Sequence, residues 1–456
     1  MTLSSVASVT GGVLQGMDCQ ISAVSIDSRK MPESGLFVAI PGDKFDGHDY
    51  VKDAGENGAV AALVSHPVDC PISQVTVTDT TIALGRLAED WRRRFELPVV
   101  GVTGSNGKTT VTAMLRHILA VSGNPLSPRE SFNNQWGVPL TLLGLRDFHS
   151  HAVIEMGTNH PGEIDYLTRI AQPTVVLINN AAEAHLEGLG TLDAVARAKG
   201  EILNGLSPDG VAILNEDDGF YGFWRGLAGE RRIISFGLQN RPDISAADIR
   251  PQSGSTRFRL QGAAGEAEIG MRLSGRHNVL NALAAIAVSF SMKIPLADMV
   301  QGLETFDGIP GRLRRTFAAD GATLIDDSFN ANPASMSAAI DVLAEESGRR
   351  SLILGGMAEL GDDSSELHAA VGERARQAGI ERLLVLDDND HMDLQGYRLG
   401  FGESTEMFQN VESLVSALAE DAEAGNTLLV KGSKSSGMGR VVKAIERREK
   451  TGGAGC

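Results

Sequence analysis

VVGVTGSNGKTT, residues 99–110, decides the fold. Residues 99–103 read as a buried strand and the glycines with small polar residues at 104–107 as a tight turn. TTVTAMLRHILAVSG then reads as an amphipathic helix. A strand that passes through a glycine-rich turn into a helix start aims backbone N–H groups and the positive helix end at one point. That is a cradle for phosphate, built from Thr103, Gly104, Ser105, Asn106 and Gly107. In such a cradle Lys108 reaches the β- and γ-phosphates and the Thr109 hydroxyl binds Mg²⁺. The long form of the motif carries glycine at position 102, where this chain has Val102, so the match is to the shorter G-x-x-G-K-T form. A strand-to-helix turn without a ligand is the alternative.

Downstream, HAVIEMG is followed by GEIDYLTRI, and PTVVLINN by the helix-like TLDAVARAKGEILNGL, residues 191–206. Continuous apolar runs alternating with helices indicate a parallel sheet covered on both faces. In such sheets ligands sit outside the carboxyl ends of the strands. Glu155 leaves one such end and His185 follows another, so both converge on the phosphate loop as candidate Mg²⁺ ligands. Taken singly, Glu155 also reads as a helix cap and His185 as a loop residue. In residues 191–206 the apolar stripe is Leu192, Val195, Ile202 and Leu206, and the position completing it is Lys199. A lysine in a core-facing stripe snorkels, pairs or is chemically altered.

Working outward, the chain divides into three units: 1–80, 81–310 and 311–456. The first alternates short β-like runs with glycine-rich turns and one short helix near 49–57, and TIALGRLAEDWRRRF, 81–95, leads out of it. A polar β-like stretch at 231–272 precedes the helix RHNVLNALAAIAVSF, and DGIPGR reads as a linker. A second α/β series follows, in ATLIDDS, RSLILGG, ERLLVLD and NTLLVKG. The tail EKTGGAGC is expected to be disordered. The fold class is therefore α/β in three domains: a small α/β N-terminal domain, a central parallel-sheet P-loop ATPase-like domain and a C-terminal Rossmann-like domain.

A net charge of −17 opposes wide contact with nucleic acid or an anionic membrane. The cysteines Cys19, Cys70 and Cys456 are too scattered for a disulfide framework or metal cluster. Neither a signal peptide nor an apolar run long enough for a membrane span is visible, which points to the cytoplasm.

SNGKTT, SFNNQWGVPLTLL, VIEMGTNHPGEI, NNAAEAHLEGLG, ARAKGEI, GRHNVLNALAA and DDSFNANPASM together resemble the Mur ligases of peptidoglycan synthesis, over nearly the whole chain. SIDSRKMPESGLFVAIPGDKFDGHDY is similar to that family's uridine-nucleotide-binding domain, and GMAELG and VKGSKSSGM to its third domain. DDSFNANP is similar to the dipeptide-adding branch, and the D-N-P-R motif of relatives that add meso-diaminopimelate is absent. Two positions depart from the pattern: Phe329 replaces a tyrosine, and Gly356 an aspartate.

The resemblance implies ATP-driven amide formation through an acyl phosphate, joining UDP-N-acetylmuramoyl-tripeptide to D-alanyl-D-alanine. It implies Lys108, Lys199, His185 and Arg312 as catalytic residues. Two Mg²⁺ ions would be held by Thr109, Glu155, His185 and Lys199, the last carbamylated by CO₂. Asn278 and Asn281 would meet the adenine side, while Arg312 and Asp327 would approach ATP from the third domain. Ser28, Arg29 and His48 would contact the uridine diphosphate, and Asn330 and Asn332 would bind substrate. Lys431 and Lys434 read equally as contacts to substrate carboxylates or as ordinary surface lysines. The alternatives are a sister ligase adding one amino acid, a folate polyglutamate ligase, or a nucleotide-dependent switch, although no guanine-reading N-K-x-D motif is present.

Overall fold

The computed structural model describes residues 1–42, 45–128, 132–252, 254–388 and 394–447. The tail expected to be disordered, with Cys456, lies outside the described residues. Each of the three α/β units has its own sheet. The first sheet has five strands in the order Val13–Gln15, Ser73–Thr76, Ala59–Val64, Gly35–Val38, Ala23–Ser25, and its first pair is antiparallel. The N-terminus adds a helix that the sequence reading did not include, Leu3–Thr10. It buries Leu3, Val6, Ala7 and Thr10 on one face, Thr2 caps its start, and Gly11 ends it at φ 72°. Its small polar residues hide the helical period.

The helix Thr80–Arg92 joins the first unit to the second, and the expected boundary at residue 80 falls on its first residue. It packs against Leu3–Thr10 on one side and against the helices Gly137–Leu142 and Glu163–Ala171 on the other. One hydrophobic core runs through it without a break, from Leu3 to Trp224.

The central sheet has nine strands. Val99–Thr103 lies between His151–Glu155 and Val175–Ile178, all parallel, and the polar stretch forms two antiparallel hairpin pairs at the far edge, Ile244–Gln252 with Ser255–Gly262 and Ser255–Gly262 with Ala267–Met271. The helix Arg276–Ser291 is buried nearly all round and packs against the phosphate-loop helix Lys108–Leu119. The helix expected over 191–206 tightens: it is α-helical over Leu192–Gly200 and 3-10 over Glu201–Gly205. Val195, Lys199, Ile202 and Leu206 are all buried, as the stripe requires.

DGIPGR is a structured turn, with Gly308 and Gly311 at φ 83° and 75° and the Gly311 N–H donating to Asp326 Oδ2 (2.8 Å). The C-terminal sheet has six strands, parallel except for the edge strand Arg314–Phe317. No helix among the described residues is long and apolar enough to cross a membrane.

Candidate active site

The phosphate loop folds as its sequence dictates. The strand Val99–Thr103 ends, Gly104 takes φ 150°, Gly107 takes φ 80°, and the helix begins at Lys108. Only glycine fits at 107: a Cβ there would come within 2.3 Å of Asn281 Oδ1 and 2.5 Å of Asn179 Nδ2. Asn106 is fixed by amides from the neighbouring strand end. Its N–H donates to Asn180 Oδ1 (2.8 Å), and its carbonyl accepts from Asn179 Nδ2 (2.9 Å) and Asn180 Nδ2 (3.1 Å). Lys108 curls back over the turn, its amine donating to the carbonyls of Gly104 (2.5 Å) and Ser105 (3.2 Å). Burial pushes its pKa down to about 8; the Glu155 carboxylate opposes that shift and Arg312 adds to it. The Thr103 side chain is fully buried and its hydroxyl donates to the Met156 carbonyl (2.9 Å), so that side chain braces the loop from below.

Register brings the strand ends together, with Glu155 beside Val102 and Ile178 beside Thr103. Glu155 is buried; its Oε1 accepts from Asn133 Nδ2 (2.7 Å) and Thr109 Oγ1 (3.3 Å), and its Oε2 has no partner among the described residues. An unsatisfied buried acceptor costs about 1–3 kcal/mol, so this oxygen fits a cation. Lys199 is fully buried and its amine likewise has no partner among the described residues. Desolvation pushes its pKa well below the ordinary lysine value. The charge of Lys108 adds to this, while Glu163 and Glu201 oppose it. His185, at φ 58°, turns its Nδ1 to Glu359 of the third unit, whose carboxyl is thereby held below the usual range. A cavity of about 480 Å³ opens over these groups, lined by the loop, Glu155, His185, Arg312, Asn330 and Glu359 among others. Lys199, fully buried, is not among its lining residues.

The third unit closes the cavity. The Arg312 guanidinium lies 4.2 Å over the Phe329 ring and donates to Thr109 Oγ1 (3.5 Å), while its Nε has no partner among the described residues. A second cavity of about 290 Å³ shares Asn106 and Arg312 and runs to the start of the helix Arg276–Ser291. Asn278 and Asn281 line it in an amide chain: Asn179 Nδ2 donates to Asn281 Oδ1 (3.0 Å), and Asn281 Nδ2 to Asn278 Oδ1 (3.2 Å).

Three family models match the chain: the Mur ligase family catalytic domain over residues 20–92, the Mur ligase middle domain over 102–289, and the Mur ligase glutamate ligase domain over 311–434. The sequence is 42% identical to the UDP-N-acetylmuramoyl-tripeptide–D-alanyl-D-alanine ligase of Escherichia coli K12, over 98% of each chain. The chain belongs to the Mur ligase family. The Bacillus subtilis ligase of the same name is 32% identical over 97% of this chain and 98% of its own. Among solved structures, MurF from Acinetobacter baumannii superposes with a TM-score of 0.89 at 33% identity, over 98% of each chain. The MurF ligase of Thermotoga maritima in complex with ADP superposes with a TM-score of 0.83 at 26% identity, over 93% of this chain and 97% of its own.

Several side chains of this Mur ligase stand elsewhere than expected. Lys431 is neither a surface lysine nor a free substrate contact: it is 2% exposed, and its amine is spent on Asp327 Oδ2 (2.5 Å) and the Asn330 carbonyl (3.0 Å). Asp327, its carboxyl raised by burial against the opposing charge of Lys431, is correspondingly committed. Asn332 has no free end either. Its Oδ1 caps the helix Pro333–Ala344 through Ser335 N–H (2.9 Å), and its Nδ2 donates to Asn106 Oδ1 (2.8 Å) across the domain boundary. His48 is buried, with Nδ1 on Asp46 Oδ1 (2.6 Å) and Nε2 accepting from Ser65 N–H (2.9 Å). It braces the FDGH turn and offers a ligand no nitrogen. Ser28 is buried at the turn Ser28–Lys30, while Arg29 stands in solvent paired with Asp27. The sequence reading missed Glu359, Asn133 and Asn179. Glu359 lies in the GMAELG turn, so a signal existed, but nothing in the sequence says that this turn meets His185.

Proposed function

We propose that this Mur ligase uses ATP to join the amine of D-alanyl-D-alanine to the terminal carboxylate of UDP-N-acetylmuramoyl-tripeptide, in the cytoplasm, where ATP is supplied. The observation that carries the reading is the 42% identity to the E. coli ligase of that name across 98% of both chains. The site supports it chemically. A carboxylate is a poor acyl donor because its oxygen leaves badly. Attack of that oxygen on the γ-phosphorus, with cleavage of the bond to ADP, turns it into an acyl phosphate. The dipeptide amine then forms the C–N bond, the C–O bond to phosphate breaks, and the amine proton is lost.

Lys108, Arg312 and the N–H groups of the loop stabilise the transferring phosphoryl group, and no side chain serves as a nucleophile. Adenine fits the smaller cavity against Asn278 and Asn281. Thr109, Glu155 through its unpaired Oε2, and His185 would hold Mg²⁺, which when bound offsets phosphate charge. The desolvated Lys199 amine, its pKa held well below the ordinary lysine value, is suited to capture CO₂, and the resulting carbamate would supply oxygen ligands for a second ion. A further cavity of about 290 Å³, lined by Ile26, Trp136, Phe329 and Lys434, shares its last two residues with the reaction cavity. It supports a path for the peptidyl part of the substrate from the first domain, with Lys434 available to a carboxylate.

The test is phosphate release measured over a matrix of UDP-muramoyl peptides and amines. Turnover should require both the UDP-tripeptide and D-alanyl-D-alanine. Equal turnover with free D-alanine or L-lysine would move the protein to a sister activity, and turnover with no amine to a nucleotide switch.

A further inference from the structure

His185 and Glu359 belong to different domains, and each is a non-glycine residue in the left-handed region, at φ 58° and 61°. Backbone strain of this kind persists only where surrounding contacts enforce it. Here two contacts join the same loops: the Nδ1 to carboxylate bond, and a bond from the Glu187 N–H to the Glu359 carbonyl (3.3 Å). The turn carrying Glu359 is itself held firmly. The Met357 N–H donates to His368 Nε2 (3.0 Å), the Ser433 N–H to the Gly356 carbonyl (2.9 Å), and the Tyr397 hydroxyl to the Gly355 carbonyl (3.0 Å). An ionised carboxylate can only accept, so the His185 Nδ1 must carry the proton, and in the neutral ring the lone pair is left on Nε2. A free imidazole favours the opposite tautomer.

We propose that Glu359 is a positioning residue: reaching across from the C-terminal domain, it fixes the tautomer and ring orientation of His185 so that Nε2 is presented to the reaction cavity. Docking of the third domain thereby completes the central site. The consequence for metal rests on the reading of His185 given above, because a carboxylate behind an imidazole is the arrangement that orients metal-binding histidines.

The test uses the full chain, free of metal, labelled with ¹⁵N-histidine and assigned with His185→Gln. In the wild type His185 should show the Nδ1–H tautomer. Glu359→Ala should shift it toward the Nε2–H form, and Glu359→Gln, which keeps an acceptor oxygen, should retain the wild-type tautomer. Both variants should melt near the wild type, since the Glu359 side chain is 45% exposed. In a second arm, Mn²⁺ binding in the presence of ADP should weaken about 10-fold or more in Glu359→Ala. An unchanged tautomer in Glu359→Ala overturns the proposal. A changed tautomer with unchanged Mn²⁺ affinity upholds the positioning role and overturns the metal role of His185.

Discussion

Lys199 presents a problem of solvation. Nothing among the described residues pairs with its amine, and burial holds its pKa well below the ordinary lysine value. An amine that gives up its proton so readily is reactive rather than stabilising. On the carbamate reading proposed above, Lys199→Ala should cost about 10–100-fold in activity and about 1 kcal/mol or less in stability. Acetate occupying the vacated space should restore part of the rate, whereas Lys199→Arg, charged and bulky, should not respond. A fully active Lys199→Ala enzyme would return the residue to a packing role. The periodicity of residues 191–206 was enough to bury this lysine, because one stripe fixes one face. The commitments of Lys431, Asn332 and His48 were not legible, because their partners, Asp327, Asn106 and Ser65, lie 17 to 226 residues away. His277 gives a titration of its own. Burial first, then the charge of Lys431, pushes its pKa down to about 4 from 6.5. The unfolded chain binds this proton between pH 6.5 and 4 and the folded chain does not, so stability is full above the unfolded value and falls as pH drops toward 4. The loss is at most about 3 kcal/mol, less for a ring that retains some solvent contact. His277→Gln should flatten this limb of the stability profile measured by urea unfolding between pH 7 and 4.5. An identical acid limb would remove His277 as its cause.

The elements that position the site do so at their ends. The strands Val99–Thr103, His151–Glu155 and Val175–Ile178 read correctly from apolar runs alone, because strands covered on both faces leave an unbroken hydrophobic signature. The N-terminal helix Leu3–Thr10 and the antiparallel edge strand Arg314–Phe317 did not, since small polar residues and a half-exposed edge weaken the period. The helix Pro333–Ala344 shows how one end serves two purposes: Asn332 caps it and also ties it to the phosphate loop. The two roles separate by substitution. Asn332→Ala should lose the cap, about 1 kcal/mol of stability, together with the contact to Asn106. Asn332→Asp keeps a capping oxygen but places an acceptor against the Asn106 oxygen. It should retain near-wild-type stability while ATP turnover falls. If Asn332→Asp turns over normally, the contact across the domain boundary does not matter to the reaction.

At the scale of the whole molecule, three sheets are held as one working unit by unequal joints. The C-terminal domain meets the central domain through polar contacts, Arg312 to Thr109 and Asn332 to Asn106 at the phosphate loop and Glu359 to His185 beside it, which suits a part that must release product. The first domain is joined differently. The helix Thr80–Arg92 places Ala83, Leu84, Leu87 and Ala88 in a core that includes Leu3 and Val6 on one side and Ile164 and Leu167 on the other. Thr80 also donates to the Ala39 carbonyl (2.8 Å) and Arg86 to the Thr10 carbonyl (3.3 Å). Each leucine-sized side chain so buried contributes about 1.5–3 kcal/mol, and a domain's whole stability is about 5–15 kcal/mol. A fragment of residues 1–80 lacks that helix and uncovers Leu3 and Val6 on the N-terminal one. It should therefore show no cooperative thermal transition by circular dichroism and should not bind uridine diphosphate. A fragment extended through Arg92 regains the inner face but exposes the side that meets Glu163–Ala171, so it should fold weakly and associate. Cooperative melting of the 1–80 fragment, raised by uridine diphosphate, would show that the first domain is autonomous and that the helix belongs to the central domain alone.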